Sequence, residues 1–112
     1  PIAEFQAVAW MLADMQVHIH ASRLMTYEAA RLYDAGSPTT LAASCAKLFG
    51  SETAMMAADR AIQIHGGYGY TEDFPVERLM RDAKITEIYD GTSEIQRLVI
   101  ARELLKTVRA SS

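Results

Sequence analysis

Asp90 lies in KITEIYDGTSEIQ, residues 84 to 96, followed by Gly91 and then by two hydroxyl residues, Thr92 and Ser93. A carboxylate in this setting reads most simply as a helix cap, accepting hydrogen bonds from the free amides of the first turn. Such a helix start, with Thr92 and Ser93 as further donors, also binds anions well. Upstream, QIHGGYG (residues 63–69) places glycines next to the rings of Tyr68 and Tyr70. Taken alone this is a helix stop, and also a surface that a flat or anionic group can approach closely. It follows a helical pattern rather than a strand and lacks the G-x-G-x-x-G spacing, so it is not a dinucleotide fingerprint.

Spacing argues against other chemistries. His18 and His20 are two residues apart and point to different sides of a helix, whereas a helical metal pair needs three or four, so no metal site is expected. Ser44, Ser51 and Ser93 have no local base partner, and nucleophilic catalysis has no support. Cys45, the single cysteine, sits among small and apolar residues (LAASCAKLF) and reads as packing. It leaves no internal disulfide and points to a reducing compartment.

The elements that must carry these residues are helical. No proline or glycine interrupts Ile2 to Tyr33, where Phe5, Val8, Leu12, Met15 and Ile19 recur at three-four spacing. A second apolar line, Trp10, Val17 and Leu24, predicts a helix covered on more than one face. In DAGSP, Gly36 suits a C-terminal cap, Ser37 an N-cap and Pro38 the first position of a second helix running to about His65. FPVERLMRDAK predicts one short helix started by Pro75. The last helix is expected from near Thr92 to about Thr107, with Ile95, Leu98, Leu105 and Val108 inward, Ser93 and Gln96 at capping-box spacing, and a frayed RASS tail. No segment alternates with period two, so the predicted fold is all-α, an up-down four-helix bundle.

Composition narrows the class further. The chain has 112 residues, half of them hydrophobic, enough for one domain. Net charge is −3 with scattered Lys and Arg, which speaks against nucleic acid and anionic membrane surfaces. No apolar run approaches the roughly 18 residues of a membrane span. The opening, PIAEFQ, has no basic leader and enters an amphipathic pattern at once, so an intracellular protein and a fragment are expected.

Read as whole phrases, QIHGGYG, FPVERLMRDAKI, IYDGTSEIQ and IARELL, in that order, resemble the C-terminal helical domain of the flavin-dependent acyl-CoA dehydrogenases. PIAEFQAVAWMLADM resembles the first helix of that domain, so the resemblance covers nearly the whole chain. It implies one C-terminal domain over residues 1–112, with an N-terminal helical domain and a middle β-domain absent from this chain. It implies a homodimer or homotetramer with FAD across a subunit interface. The cofactor-binding positions would be Gln6, then Gln63, Ile64, His65, Gly66 and Gly67, and a second segment of Thr92, Ser93 and Glu94. Gly91 would lie against the acyl-CoA.

Asp90 matches the position of the catalytic base. The implied reaction removes the α-proton of an acyl thioester while a hydride leaves the β-carbon for the flavin, giving a trans-2-enoyl-CoA. Electrons then pass to an electron-transfer flavoprotein. The compartment implied is the cytoplasm in a bacterium or the mitochondrial matrix in a eukaryote.

The family pattern has Glu where this chain has Asp90. Reference pKa values of about 3.9 and 4.3 make the two equally basic in practice. Reach separates them: Asp is shorter by one bond of about 1.5 Å, and a misplacement of about 1 Å can lower a rate on the order of 10²-fold. Three alternatives follow: the main chain sits nearer the substrate, the substrate differs, or the base lies upstream of this domain. A nitroalkane-oxidase-like flavin oxidase on the same fold is therefore a second reading, and a non-catalytic helical assembly module a third. The isolated chain is expected to be inactive.

Overall fold

The computed structural model describes residues 1–89 and 91–111, without the side chains of Ala3 and Ser111. Its four α-helices are α1 (Gln6–Asp34), α2 (Thr40–His65), α3 (Val76–Thr86) and α4 (Ser93–Ser111). Short 3₁₀ turns cover Ile2–Glu4 and Gly66–Tyr70. No strand occurs among the described residues, in keeping with the expected all-α four-helix class.

The first break falls where periodicity alone does not show it. Phe5 is extended (φ −70°, ψ 133°), so the 3₁₀ turn and α1 are separate, and α1 starts at Gln6 rather than Ile2. An apolar rhythm runs through a change of backbone conformation without a mark, because it records faces and not dihedrals. At the far end, α1 closes in a Schellman motif. Gly36 takes φ +72°, its amide donates to Tyr33 O at 3.0 Å, and the Ser37 amide donates to Leu32 O at 3.0 Å. Ser37 and Pro38 thereby belong to the turn, and α2 starts later than expected, at Thr40, with Thr39 as its N-cap.

α2 is the centre of the molecule: α1, α3 and α4 each pack on it. Its composition allows this. Ser44, Ser51, Thr53 and Ala58 are buried, and small side chains let three neighbours approach one axis closely. The buried hydroxyl of Ser51 is satisfied within the helix by Lys47 O at 2.8 Å. At Gly50 a Cβ would stand 3.2 Å from Ser22 Oγ, so the α1–α2 crossing is tight there. α3 packs with Val76 and Ala83 inward, while Arg81 and Glu77 pair at 3.0 Å on its outer side.

The interior is thin. Among the described residues only Ala58, Val76 and Ala83 are buried apolar side chains. The radius of gyration is 17.2 Å, against about 13 Å for a compact domain of this length. The accessible surface is 7930 Å², against about 6100 Å² for a folded monomer of this mass. Ile95, Leu98, Leu105 and Val108, expected inward, are half-exposed or more, as are Trp10, Val17 and Leu24 on α1. Among the described residues α4 packs only on α2, so its apolar positions are only partly covered. α4 also continues past Thr107 to Ser111.

Candidate functional site

Two surface segments carry the positions that the sequence singles out. One is the arc from Thr86 to Glu94, between α3 and α4. Asp90 lies outside the described residues, and its two flanks are held as follows. On the near side, the amides of Ile88 and Tyr89 each donate to Ile85 O at 3.0 Å, which extends the end of α3 by a turn. On the far side, Gly91 takes φ +95°, a conformation that L side chains rarely adopt, and a Cβ there would stand 2.8 Å from Gln96 Nε2. Glycine at 91 is thus required by backbone angle, whereas the end of the Gln96 side chain can shift to make space.

The start of α4 is capped one residue earlier than the expected capping box. Thr92 Oγ1 accepts from the Ile95 amide at 3.2 Å and Thr92 O from the Gln96 amide at 2.9 Å, so Thr92 and not Ser93 is the cap. The Ser93 amide donates to Glu87 O at 3.1 Å. These commitments leave an unusual atom: Ser93 Oγ is buried, the residue being 7% exposed, and has no hydrogen-bond partner. A buried hydroxyl without a partner is destabilising unless something outside the chain satisfies it.

The arc is tied to α2 at two points. Lys47 Nζ donates to Thr86 O at 2.5 Å and to Gly91 O at 3.3 Å, with the Tyr89 ring centroid 5.8 Å away. Arg97, one turn into α4, pairs with Glu52. A cleft of about 380 Å³ opens beside this contact, lined by residues that include Glu52, Lys84, Glu87, Ser93, Glu94 and Arg97.

The second segment is the end of α2. The hairpin register is set by His18 stacked on Phe49, with centroids 5.7 Å apart and planes 7° from parallel, and by Ser22 against Gly50. Continued along two antiparallel helices, that register carries Gln6 to the same end of the molecule as Gln63–Gly67. Gly66 turns the chain with φ +66°. Gly69 is wedged against its own helix, where a Cβ would meet Ile62 O at 2.7 Å. Gly67, by contrast, has nothing within 4 Å of its Cβ position, so its bare main chain faces open space. His65 Nδ1 donates to Ala61 O at 2.7 Å, and its ring lies 5.5 Å from that of Phe74.

The register therefore places Gln6 at the same end of the molecule as Gln63, Ile64, His65, Gly66 and Gly67, and separately Gly91 stands with Thr92, Ser93 and Glu94 at the start of α4. The two groups do not meet. They are about 20–30 Å apart along α2, at 1.5 Å per residue. Lys47 was not singled out by spacing, although a lone cation inside LAASCAKLFG is a signal, since a buried or half-buried lysine needs acceptors. Among the described residues no cluster of metal-ligating side chains occurs, and no helix is long and apolar enough to cross a membrane.

The structure is thus a helical domain with two candidate segments at its surface and, among the described residues, little apolar interior. The family described as Acyl-CoA dehydrogenase, C-terminal domain, matches residues 1–105, and the chain belongs to it. It is 54% identical over 103 residues to the short-chain-specific acyl-CoA dehydrogenase of Clostridium acetobutylicum, a match covering 92% of this chain and 27% of that protein. The structure of butyryl-CoA dehydrogenase from Megasphaera elsdenii superposes with a TM-score of 0.92 at 48% identity, over 94% of this chain and 27% of that one. The FAD complex of PigA superposes with a TM-score of 0.89 at 32% identity, over 92% of this chain and 27% of that one. The chain thus spans roughly a quarter of the length of its relatives.

Proposed function

We propose that the protein to which this helical domain belongs is an FAD-dependent acyl-CoA dehydrogenase that converts an acyl-CoA to a trans-2-enoyl-CoA. Residues 1–112 would be its C-terminal domain, beside an N-terminal helical domain and a middle β-domain. The observation that carries the reading is the family match through residues 1–105, which includes both surface segments. The comparisons favour neither the nitroalkane-oxidase-like alternative nor a non-catalytic assembly module.

The residues present fit the cofactor. Thr92, Ser93 and Glu94 lie at the start of α4, and a helix start can face a pyrophosphate. Gly67 offers main chain without a side chain in the way. The gap between the two segments supports a cofactor at a subunit interface, because one chain then serves different copies of it with its two ends. When bound, FAD supplies the hydride acceptor.

In this reading Asp90 takes the α-proton, and the glycine at 91 keeps side-chain bulk away from the thioester. A carboxylate with a near-ordinary pKa suffices where the thioester oxygen is held by hydrogen bonds that strengthen as negative charge develops on it. Gln6, Gln63, Ile64, His65 and Gly66 complete the cofactor contacts, with Thr92 and Glu94 beside Ser93. The exposed apolar faces of α1 and α4 support assembly with the other domains and with further copies, as a homodimer or homotetramer. An electron-transfer flavoprotein is the proposed acceptor, and the cytoplasm of a bacterium or the matrix of a mitochondrion the proposed compartment.

The test is an anaerobic titration of the full-length protein with straight, branched and cyclic acyl-CoAs, followed by flavin absorbance, beside Asp90→Ala. The expected result is bleaching by one substrate class, slowed on the order of 10²-fold or more in the variant. No bleaching by any acyl-CoA would refute the dehydrogenase reading. Bleaching at an unchanged rate in Asp90→Ala would place the base upstream and leave Asp90 as a cap.

A further inference from the structure

Lys47 lies on α2, away from both segments in sequence, yet its ammonium group is where the Thr86–Gly91 arc is pinned. Thr86 is the last residue of α3, and its carbonyl has no helical amide to accept from. Lys47 Nζ fills that role at 2.5 Å, as a cation at the negative end of a helix. The same ammonium donates to Gly91 O at 3.3 Å, and the Tyr89 ring stands over it at 5.8 Å. An ammonium has three donors and no acceptors, so it can hold several acceptors at once. Thr86, Tyr89 and Gly91 bracket position 90, and the contacts to Tyr89 and Gly91 fall on the two residues covalently joined to it.

Gly91 is in a left-handed conformation that leaves the chain free to rotate if its carbonyl is released. A further tie across the arc is the Ser93 amide on Glu87 O. Arg97 and Glu52 hold α4 to α2 but lie beyond the arc. Among the described residues, Lys47 is the α2 side chain seen to tie both residue 89 and residue 91 to the central helix.

We propose that Lys47 is a positioning residue for the reaction: by holding the Thr86 and Gly91 carbonyls and the Tyr89 ring, it sets the place of the residue-90 carboxylate without touching substrate. The proposal rests on the dehydrogenase reading above. It also bears on the shorter reach of Asp at this position. With one carbon fewer, a carboxylate has less freedom to correct for a displaced main chain, so accurate placement of the arc matters more.

The experiment uses full-length, FAD-bound protein and reads α-proton exchange directly. 3,3-Dimethylbutanoyl-CoA has α-hydrogens but none on its β-carbon, so a base can exchange its α-protons with D₂O while oxidation cannot proceed. Exchange is followed by NMR in wild type, Lys47→Met, Lys47→Gln and Lys47→Arg, with flavin content and KM for an oxidisable acyl-CoA measured alongside. The expected result is a loss of exchange and of kcat on the order of 10²-fold in Lys47→Met and Lys47→Gln, with flavin content and KM near wild type. Lys47→Arg, which keeps the cation and donors, should retain more exchange than either.

Exchange in Lys47→Met within about twofold of wild type would overturn the proposal, a 1 Å displacement being worth far more. So would failure of both neutral variants to give folded, FAD-bound protein, since the lysine would then hold the helices together rather than place the arc. Absence of exchange and of bleaching in the wild type itself would refute the dehydrogenase reading and this inference with it, an outcome distinct from a wild type that exchanges and a variant that does too.

Discussion

Gly67 and Gly69 are two residues apart and make opposite demands. At Gly69 a Cβ would press on the carbonyl oxygen of Ile62, a backbone atom that cannot swing away, at 2.7 Å. Gly69→Ala should therefore destabilise the end of α2 by about 1–3 kcal/mol, as overpacking does. At Gly67 the same methyl group meets nothing within 4 Å in the chain. Gly67→Ala should leave the melting temperature of the FAD-free full-length protein unchanged and weaken its retention of FAD, because the open space is where the cofactor is proposed to lie. A melt and a flavin-to-protein absorbance ratio for each variant distinguish the two; equal effects on both readouts would contradict the assignment. The pair QIHGGYG is legible in sequence as a glycine-rich stop, but which glycine serves the fold and which serves a ligand is not. The difference lies in what surrounds each Cβ position, and only folded neighbours supply that.

The helices themselves follow closely from local rules, and the departures are instructive at their ends. Gly36 was recognisable as a cap because a Schellman turn needs a left-handed residue and glycine takes it most readily. Gly36→Ala retains space but not the backbone angle, with a penalty of about 1–2 kcal/mol. The hydrogen-exchange protection of the Gly36 and Ser37 amides should then fall by about 5- to 30-fold, and unchanged protection would show that the turn is held by something else. Phe5, Thr39 and Thr92 mark starts that differ from expectation by one to several residues. At α2 and α4 a plausible alternative cap, Ser37 or Ser93, lay within two residues of the true one, and competition between nearby caps is settled by small differences in dihedral and contact rather than by residue type. Thr92 outcompetes Ser93 as cap of α4, and this is what leaves the Ser93 hydroxyl without a partner.

At the scale of the whole molecule, the shape is that of a component. α2 is enclosed by three helices, but α1 and α4 each keep an apolar side uncovered, and the accessible surface exceeds that of a compact monomer by roughly 1800 Å². The isolated 112-residue chain should therefore bind an apolar dye, self-associate in sedimentation velocity and fail to retain FAD. A monodisperse monomer that does not bind dye would mean that these faces repack within the chain. Helix content, the order of the four helices, the turn at Gly36 and the family were all determined by sequence alone, because periodicity, glycine chemistry and the phrases QIHGGYG and IYDGTSEIQ are local. Three things were decided only by the tertiary structure: that α2 is the hub, that the two proposed cofactor segments stand well apart on one chain, and that Lys47 reaches across from the hub to the arc bearing position 90. Each joins residues distant along the chain, and their proximity arises from helix packing and register, which local pattern does not encode.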